Sequence, residues 1–438
     1  MTIQNFPTSL QPAIQLGYLE RKFMDGLDSA IVYRSIADLE IFPANVGETI
    51  TKTRKGLKAP VTTPLNPSSN TNLDNGLTPT TWTVEQYVLG ISMYGDTLDL
   101  NMVTQGVGIE SQFLHNSYTN GVQAAQSVDR IARNTLFNAY QGGNTSVRVA
   151  LGAPGTAVSV DDIRGFIQVP AAGTNAMVNV SVGNPATVTF NGTSYTVTGT
   201  VADGGNVSVT PNGISGVLTT SANVSVANGA LGVPVVSSLA PTVLRPNGRT
   251  TTGGLISTDL FSMSIALDAV TRLRNNAVPT VNGMYNCYLD NTSARQLFAD
   301  PDFKQLYQGQ GAAQEFRRGR MIELLDVRFM PTTEAIQQTL GSINVHRPIV
   351  VGAGALVEGV YADVAFNNIP EASDGLMTVN AGIAQIVRAP IDRLRQIVAQ
   401  SWYYIGGFTV PSDVTATQTI IPTASNALYK RAVMIETA

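Results

Sequence analysis

Apolar residues recur at three- and four-residue steps in three stretches of the chain, which is the spacing of an amphipathic helix. The first stretch runs from Gln11 to Glu40 and carries Leu39 on its apolar stripe. The second begins near Ile109 and continues for roughly 30 residues, or ~45 Å of helix. The third follows Ser257 and Thr258, either of which can serve as its N-cap. We therefore predict an N-terminal helical arm, one long helix and a shorter later helix.

Between residues 142 and 254 the pattern changes to short runs of alternating apolar and polar residues, such as ATVTFNGTSYTVTGTV. Turn residues separate the runs, and Asn191-Gly192 is a hairpin signal. Because helical patterns lie on both sides, we predict an all-β domain inserted into another domain. Its texture favours a small sandwich or barrel.

The last third of the chain alternates strand and helix patterns. GMYNCYLDNTSARQLFADPDFKQLYQ predicts a strand, a turn and a helix, and GRMIELLDVRFMP and RPIVVGAGALVEGVYADV predict strands. RQIVAQSWYYIGGFTV predicts a buried strand, with a bulge at Gly406-Gly407. The tail ASNALYKRAVMIETA predicts a short final helix or strand.

One segment has too few large apolar residues to pack against anything. It is TRKGLKAPVTTPLNPSSNTNLDNG, and strand-like runs flank it on both sides. A two-stranded arm of this kind is marginally stable alone in water, so we expect another surface to cover it. Its basic residues form either a solvated face or pairs with acids of a neighbouring subunit, and EFRRGRMIE supplies a second basic cluster. The candidates for contacts between subunits are Lys52, Arg54, Lys55, Lys58, Asn75, Arg317, Arg318 and Arg320.

Composition favours assembly over free diffusion. Charged residues make up 13% of the chain, about half the usual share of ~25%. That is low for a monomer whose whole surface meets water, and it suits surfaces that become buried. A net charge of −4 argues against gripping nucleic acid as the main role. We find neither a signal-peptide pattern nor an apolar run long enough to span a membrane, so we expect a soluble cytosolic product.

The residues that usually carry chemistry are scarce. The chain has one cysteine and two histidines, too few for a disulfide framework or a thiolate metal cluster. GAGALVEG lacks G-x-G-x-x-G and places a glutamate where phosphate would be repelled. Simpler roles, as caps, turns or buried groups, account for His115, His346, Cys287, Asp96, Asp99, Asp161 and Asp162. We predict no enzyme activity and no catalytic, cofactor-binding or metal site.

The order of these pieces resembles the major capsid protein of tailed bacteriophages, the HK97-like fold. YLDNTSARQLFADPDFKQ is similar to the family's strand that turns into a helix, and GRMIELLDVRFMP to its next strand, with Leu325-Asp326 in place of the usual Gly. RPIVVGAGALVEGVYADV and RQIVAQSWYYIGGFTV resemble the two strands that follow. The resemblance covers everything except the β-rich insertion.

The resemblance implies an α+β fold in seven segments. These are an N-terminal arm (1–46), an extended loop (47–95), a peripheral domain with the spine helix (96–141), the inserted β-rich domain (142–254), a peripheral-domain helix (255–278), an axial domain (279–380), and peripheral-domain return strands with the C-terminus (381–438).

By the same resemblance the protein is a capsid subunit. Copies form pentamers and hexamers of an icosahedral shell, and the extended loop lies over an adjacent subunit. The implied partners are a scaffolding protein during assembly in the host cytoplasm, a portal protein and a decoration protein, with DNA only as enclosed cargo. Lys52, Lys55 and Lys58 lie at the base of the loop rather than its tip, so we do not predict cross-linking. The alternatives are a β-rich fibre or adhesive protein, favoured by the insertion, and an enzyme whose site the sequence does not reveal.

Overall fold

The computed structural model describes residues 21–25, 32–43, 47–62, 84–101, 112–172, 176–203, 213–309, 323–361, 375–388 and 396–438. Within them the chain is an α+β protein, as the sequence predicted. No helix among these residues is long and apolar enough to cross a membrane. The chain divides into two compact units. One comprises residues 1–50, 88–133 and 356–409, and the other comprises 51–87, 134–355 and 410–438. The boundaries of the seven predicted segments stay a prediction.

The described residues form helices and strands of widely different length, from two-residue strands to a 30-residue helix. The helices are α1 (Gln112–Gln141), α2 (Met263–Asn275), α3 (Asn291–Ala299) and α4 (Pro301–Gly309). The strands are β1 (Ala37–Phe42), β2 (Thr49–Lys55), β3 (Val84–Gly90), β4 (Ser92–Asn101), β5 (Asn144–Ser146), β6 (Gly155–Val160), β7 (Gln168–Pro170), β8 (Met177–Asn179), β9 (Ala186–Phe190), β10 (Thr193–Ala202), β11 (Gly216–Val224), β12 (Pro234–Ser237), β13 (Val243–Leu244), β14 (Tyr285–Leu289), β15 (Glu323–Leu324), β16 (Val327–Pro331), β17 (Gln337–Leu340), β18 (Ile343–His346), β19 (Ile349–Val351), β20 (Leu356–Tyr361), β21 (Gly375–Asn380), β22 (Ile383–Arg388), β23 (Ile397–Thr409) and β24 (Ala432–Ile435).

The first unit is built on a six-stranded sheet in the order β1-β20-β23-β22-β21, with β4 also paired to β23. The long predicted helix, α1, has 30 residues. Small residues on α1, among them Ala124 and Val128, pack in one apolar cluster with Trp402 and Tyr404 of β23. Small side chains let a helix backbone lie close to a sheet that presents large aromatic rings. This packing fixes the face of α1 that is buried in the first unit.

Gly406 and Gly407 do not form the predicted bulge. Strand β23 keeps register through both, with Gly406 opposite Val360 and Gly407 opposite Gly359. Both glycines are needed for close approach instead. A Cβ on Gly407 would lie 2.0 Å from the carbonyl oxygen of Gly90.

The predicted N-terminal helix extends too far. Residues 21–25 are helical, but Leu39 lies in β1, which pairs in parallel with β20 along its whole length. The helical spacing was wrong here because a free sheet edge can recruit a segment whose local pattern is ambiguous.

The second unit contains another six-stranded sheet, in the order β13-β24-β19-β14-β16-β15. Its core includes Ala266 and Leu273 of α2, Cys287 of β14 and Val433 of β24. The strand, turn and helix predicted around residues 285–299 are present, and the tail forms a strand inside the sheet. The segment RPIVVGAGALVEGVYADV, predicted as one strand-like region, supplies two strands of different sheets, β19 and β20.

Helix α2 begins later than predicted. Neither Ser257 nor Thr258 caps it, because the Asp259 carboxylate accepts the Ile256 N–H and folds this stretch into a turn. The first N–H of the helix, from Met263, donates instead to Asp300 Oδ2 at 2.7 Å. The cap therefore comes from a residue distant in sequence.

Strands within residues 142–254, the region predicted as an insertion, form a small barrel. Its sheet runs β5-β12-β9-β10-β11-β6. The N–H of Asp161 then donates to Ser146 O, and the N–H of Arg148 to Ser159 O, which joins β6 back to the β5 end. At the predicted hairpin Asn191 and Gly192 have φ of 48° and 80°, the left-handed values that a two-residue turn requires.

Candidate assembly arm and its anchor

The arm that the sequence predicted starts as a pair of strands, β2 and β3. Along each strand, more buried and more exposed side chains alternate. In β2 the half-buried side includes Lys52 and Arg54, while Thr53 and Lys55 on the other side are exposed. In β3 the side chain of Glu85 is among those that are buried. The two limbs of the arm therefore present charged groups to the body of the second unit.

Both limbs contact one short segment of the C-terminal region, Asp413–Thr415. From the first limb, Arg54 Nη1 lies 3.6 Å from Asp413 Oδ1, and the N–H of Leu57 donates to Thr415 Oγ1 at 2.9 Å. From the second limb, Glu85 Oε1 accepts the N–H of Thr415 at 3.0 Å and also its hydroxyl. Thr415 therefore links the limbs, since it accepts from one and donates to the other. We call Arg54, Leu57, Glu85, Asp413 and Thr415 the arm anchor.

Two further cations complete the electrostatics of the arm anchor. Arg431 Nε donates to Asp413 Oδ1 at 3.1 Å, and Lys430 Nζ donates to the backbone carbonyl of Asp413 at 2.9 Å. Burial and the Glu85 carboxylate raise the pKa of Asp413 to about 6, although Arg54 and Lys430 lower it. Burial also lowers the pKa of Lys430, against the attraction of Asp413 and Glu85. Charged groups are thus held together in a buried site.

A cavity of about 100 Å³ adjoins the arm anchor. Glu85, Asp413, Lys430 and Arg431 contribute to its walls, and Lys55 lies at it from the exposed side of β2. Leu57, Ala416 and residues 276–279 form the rest of the lining.

The structure brings some of the predicted contact residues to one place and not others. Arg54 has an acidic partner within its own chain, Asp413, and Lys55 lies at the adjoining cavity. Lys52 and Lys58 also interact within the chain. The remaining candidates, Asn75, Arg317, Arg318 and Arg320, lie outside the described residues. The role of all eight between subunits stays a prediction.

The sequence did not mark Glu85, Asp413 and Thr415 as candidate residues. Glu85 lies 330 positions from Thr415, and no local pattern connects them. Asp413 falls in FTVPSDVT, just after the predicted buried strand, where no candidate residue was predicted.

A second junction holds the N-terminal segment to the first unit. The N–H groups of Val32 and Arg34 both donate to Asp129 Oδ1 of α1 at 2.9 Å. The Arg34 guanidinium binds Glu358 of β20 with Nη2 2.6 Å from Oε1, and Tyr404 donates its hydroxyl to the same oxygen at 2.9 Å. Glu358, which argued against a nucleotide loop, is the acceptor of this network. We call these five residues the N-terminal junction.

Two strands of the first unit expose apolar residues. On β1, Leu39 is 65% and Ile41 67% exposed, and among the described strands β1 pairs only with β20. On β4, Met93 is 71% exposed. Apolar side chains on a free strand edge are typical of surfaces that another chain covers.

Two of the residues considered for chemistry, His346 and Cys287, have contacts or burial that support the fold. His346 Nδ1 lies 2.9 Å from Asp290 Oδ2, and Asp290 caps α3. Cys287 is fully buried, as predicted, and burial raises the pKa of its thiol. Within the described residues, no three His, Cys, Asp or Glu side chains come together to hold a metal ion.

No protein-family model matches this sequence, and no curated protein matches it. Solved structures similar to the chain are phage capsids. The capsid structure of cyanophage P-SCSP1u is 11% identical, with a TM-score of 0.49 over 93% of this chain and 88% of that chain. The capsid of Ralstonia phage GP4 is 11% identical, with a TM-score of 0.48 over 92% and 87%. The capsid of cyanophage Pam1 is 10% identical, with a TM-score of 0.47 over 90% and 86%.

Proposed function

We propose that this chain is the major capsid protein of a tailed bacteriophage and that its copies assemble into an icosahedral shell around the packaged genome. The observation that carries the proposal is the arm anchor. Both limbs of a two-stranded arm are joined at their base to one segment through Thr415. A pair of strands is too small to be stable in water alone. An arm held firmly at its base and poor in apolar residues beyond it is suited to lie on a sister subunit.

The exposed strands of the first unit support the same role. Leu39, Ile41 and Met93 offer apolar side chains on extended backbone, the kind of surface that a neighbouring chain covers. Heterologous contacts of this type close into rings when the rotation between copies allows it. We propose pentamers and hexamers as those rings, with contacts through the eight candidate residues.

The finer parts of the proposal concern partners and place. A separate scaffolding protein would guide assembly in the host cytoplasm. A portal protein would occupy one vertex, and a decoration protein could bind the inserted barrel. The seven segments, from the N-terminal arm at 1–46 to the return strands at 381–438, complete the proposed capsid fold.

Point variants on β1 test the proposal. Leu39→Asp with Ile41→Asp would place two carboxylates on the exposed side of the strand, so the subunit should fold and fail to form particles. The matched control is Val182→Asp, which changes an apolar residue that is 84% exposed on a turn of the inserted region. The wild type and the control, co-expressed with the scaffolding protein, should give shells or curved sheets in negative-stain electron microscopy.

Two outcomes would contradict the proposal. One is normal shells from the β1 double variant, because the exposed edge would then have no part in assembly. The other is thin fibres or only monomers from the wild type, which would favour the fibre or adhesive alternative. Circular dichroism on each variant separates a failure to assemble from a failure to fold.

A further inference from the structure

The arm anchor contains a carboxyl group in an unusual position. Asp413 Oδ1 has Arg54 and Arg431 beside it. Its other oxygen, Oδ2, is buried and accepts no hydrogen bond within the part of the chain that the structure describes. A buried carboxylate oxygen without a donor is costly, and a proton on the group removes most of that cost.

The surroundings of Asp413 reinforce this effect. A second buried carboxylate, Glu85, comes from the second limb of the arm. The other charged and titratable groups around Asp413 come from four places, namely Arg54 and Lys55 of β2, Tyr140 of α1, Tyr429, and the neighbouring Lys430 and Arg431. Burial together with Glu85 outweighs the cations and raises the pKa of Asp413 to about 6.

We propose that Asp413 makes the arm anchor a proton-operated clamp, which holds the base of the arm more tightly in acid than at neutral pH. Both limbs contact the Asp413–Thr415 segment, through Arg54 and Leu57 of the first limb and Glu85 of the second, so a change in charge there acts on both. The inference concerns the regulation of the arm on which the proposed function rests. It is tested on isolated subunits, so its failure and a failure to assemble are distinguishable.

Proton linkage gives the direction in which pH changes the stability of the arm anchor. The anchor is closed when its hydrogen bonds across Thr415 are made, and open when they are broken. A carboxyl whose pKa is raised in the closed anchor binds a proton more readily there than when the anchor opens to water. The stability of the closed anchor therefore grows as pH falls from about 6 toward the ordinary value of 3.8. Between pH 7.5 and pH 5.0 the ratio of closed to open anchor should rise by about tenfold.

Hydrogen–deuterium exchange measures that ratio directly. In the full-length subunit, the amides of Leu57 and Thr415 are the ones bonded across the anchor. After correction for the intrinsic dependence of exchange on pH, their protection should be about tenfold higher at pH 5.0 than at pH 7.5. Asp413→Asn, which has the same shape and no charge at either pH, should keep the high protection at both.

Two further variants keep the test decisive. Glu85→Gln removes the second carboxylate, so the gain in protection should shift to lower pH and shrink. Asp268→Asn, on the exposed side of α2, should leave the gain unchanged. If the wild type shows equal protection at both pH values, or if Asp413→Asn and Glu85→Gln keep the wild-type gain, the clamp does not exist.

Discussion

Glu436 joins three strands of the second unit, and its substitution is the sharpest test of how that unit is held together. It follows β24 directly and is fully buried. Its Oε2 lies 2.7 Å from Arg245 Nε, next to β13, and its Oε1 lies 3.0 Å from Arg347 Nε, next to β19. The hydroxyl of Thr252 also donates to Oε2 at 2.8 Å. We consider Glu436→Gln, which keeps the shape and removes the charge.

The expected cost follows from what the substitution leaves behind. Arg245 and Arg347 have side chains only 7% and 2% exposed, so both buried guanidinium groups would lose the negative charge of Glu436. Breaking a buried ion pair on one side costs about 3–5 kcal/mol. Glutamine keeps one oxygen that can accept from one arginine, so we expect about 3 kcal/mol. That is a large fraction of the 5–15 kcal/mol typical of a folded domain.

The chain provides its own probe for the measurement. Cys287 is its only cysteine and lies fully buried in the same core. The rate at which a maleimide labels Cys287 in rising urea therefore reports the unfolding of this unit. Glu436→Gln should move the labelling transition to clearly lower urea. The matched control is Glu323→Gln, whose partner Arg328 is on the surface and whose pair is worth about 0–1 kcal/mol.

Acidity provides a second readout of the same interaction. Burial opposes ionisation of Glu436, but Arg245 and Arg347 together lower its pKa below the ordinary 4.5. Its contribution is therefore complete above about 4.5 and is lost as pH falls through the lower value in the folded protein. The difference between wild type and Glu436→Gln should shrink in acid. Labelling midpoints for Glu436→Gln that equal those of Glu323→Gln at pH 7 would refute the reasoning.

Two more substitutions test the sheets. Gly407→Ala should give insoluble protein, because its Cβ would lie 2.0 Å from Gly90 O. The control is Gly152→Ala, whose Cβ would meet no heavy atom within 4 Å, and it should express normally. Soluble, folded Gly407→Ala would contradict the register of β23. Asp290→Asn should cost about 2 kcal/mol at pH 7 by Cys labelling. Burial opposes ionisation there, but hydrogen bonds such as that with His346 lower the pKa of Asp290 to about 2. Wild type should lose this stability as pH falls from 4 to 2, and a variant with the same acid profile would contradict the assignment.

The sequence predicted the elements that have a long, regular spacing of apolar residues or a characteristic turn dipeptide. The long helix α1 and the Asn191-Gly192 hairpin are examples. Local chemistry alone decides such features, so one sequence suffices to predict them.

The elements that the sequence missed depend on distant partners. Leu39 fits a helical stripe, yet β20 recruits it into a sheet. Ser257 and Thr258 look like caps, yet Asp300 supplies the cap for α2. The arm anchor has the same origin, because Thr415 joins limbs more than 300 positions away. Contacts at that separation leave no mark on the local pattern of a single sequence.

The distribution of charged residues favours a protein whose surface is covered by other chains. Charged residues are few, at 13% of the chain. Several of them are buried inside the two units, where they pair with other groups or cap a helix. Such buried residues include Glu85, Asp129, Asp290, Arg347, Glu358, Asp413, Lys430 and Glu436. The outer surface is therefore poorer in charge than the composition alone indicates, while β1 and β4 expose apolar side chains on it. A protein that stayed dispersed would need the opposite distribution, with charge outside to limit association. A subunit whose surface is covered by neighbouring copies needs buried charged contacts in its interior and few charges on its outer faces.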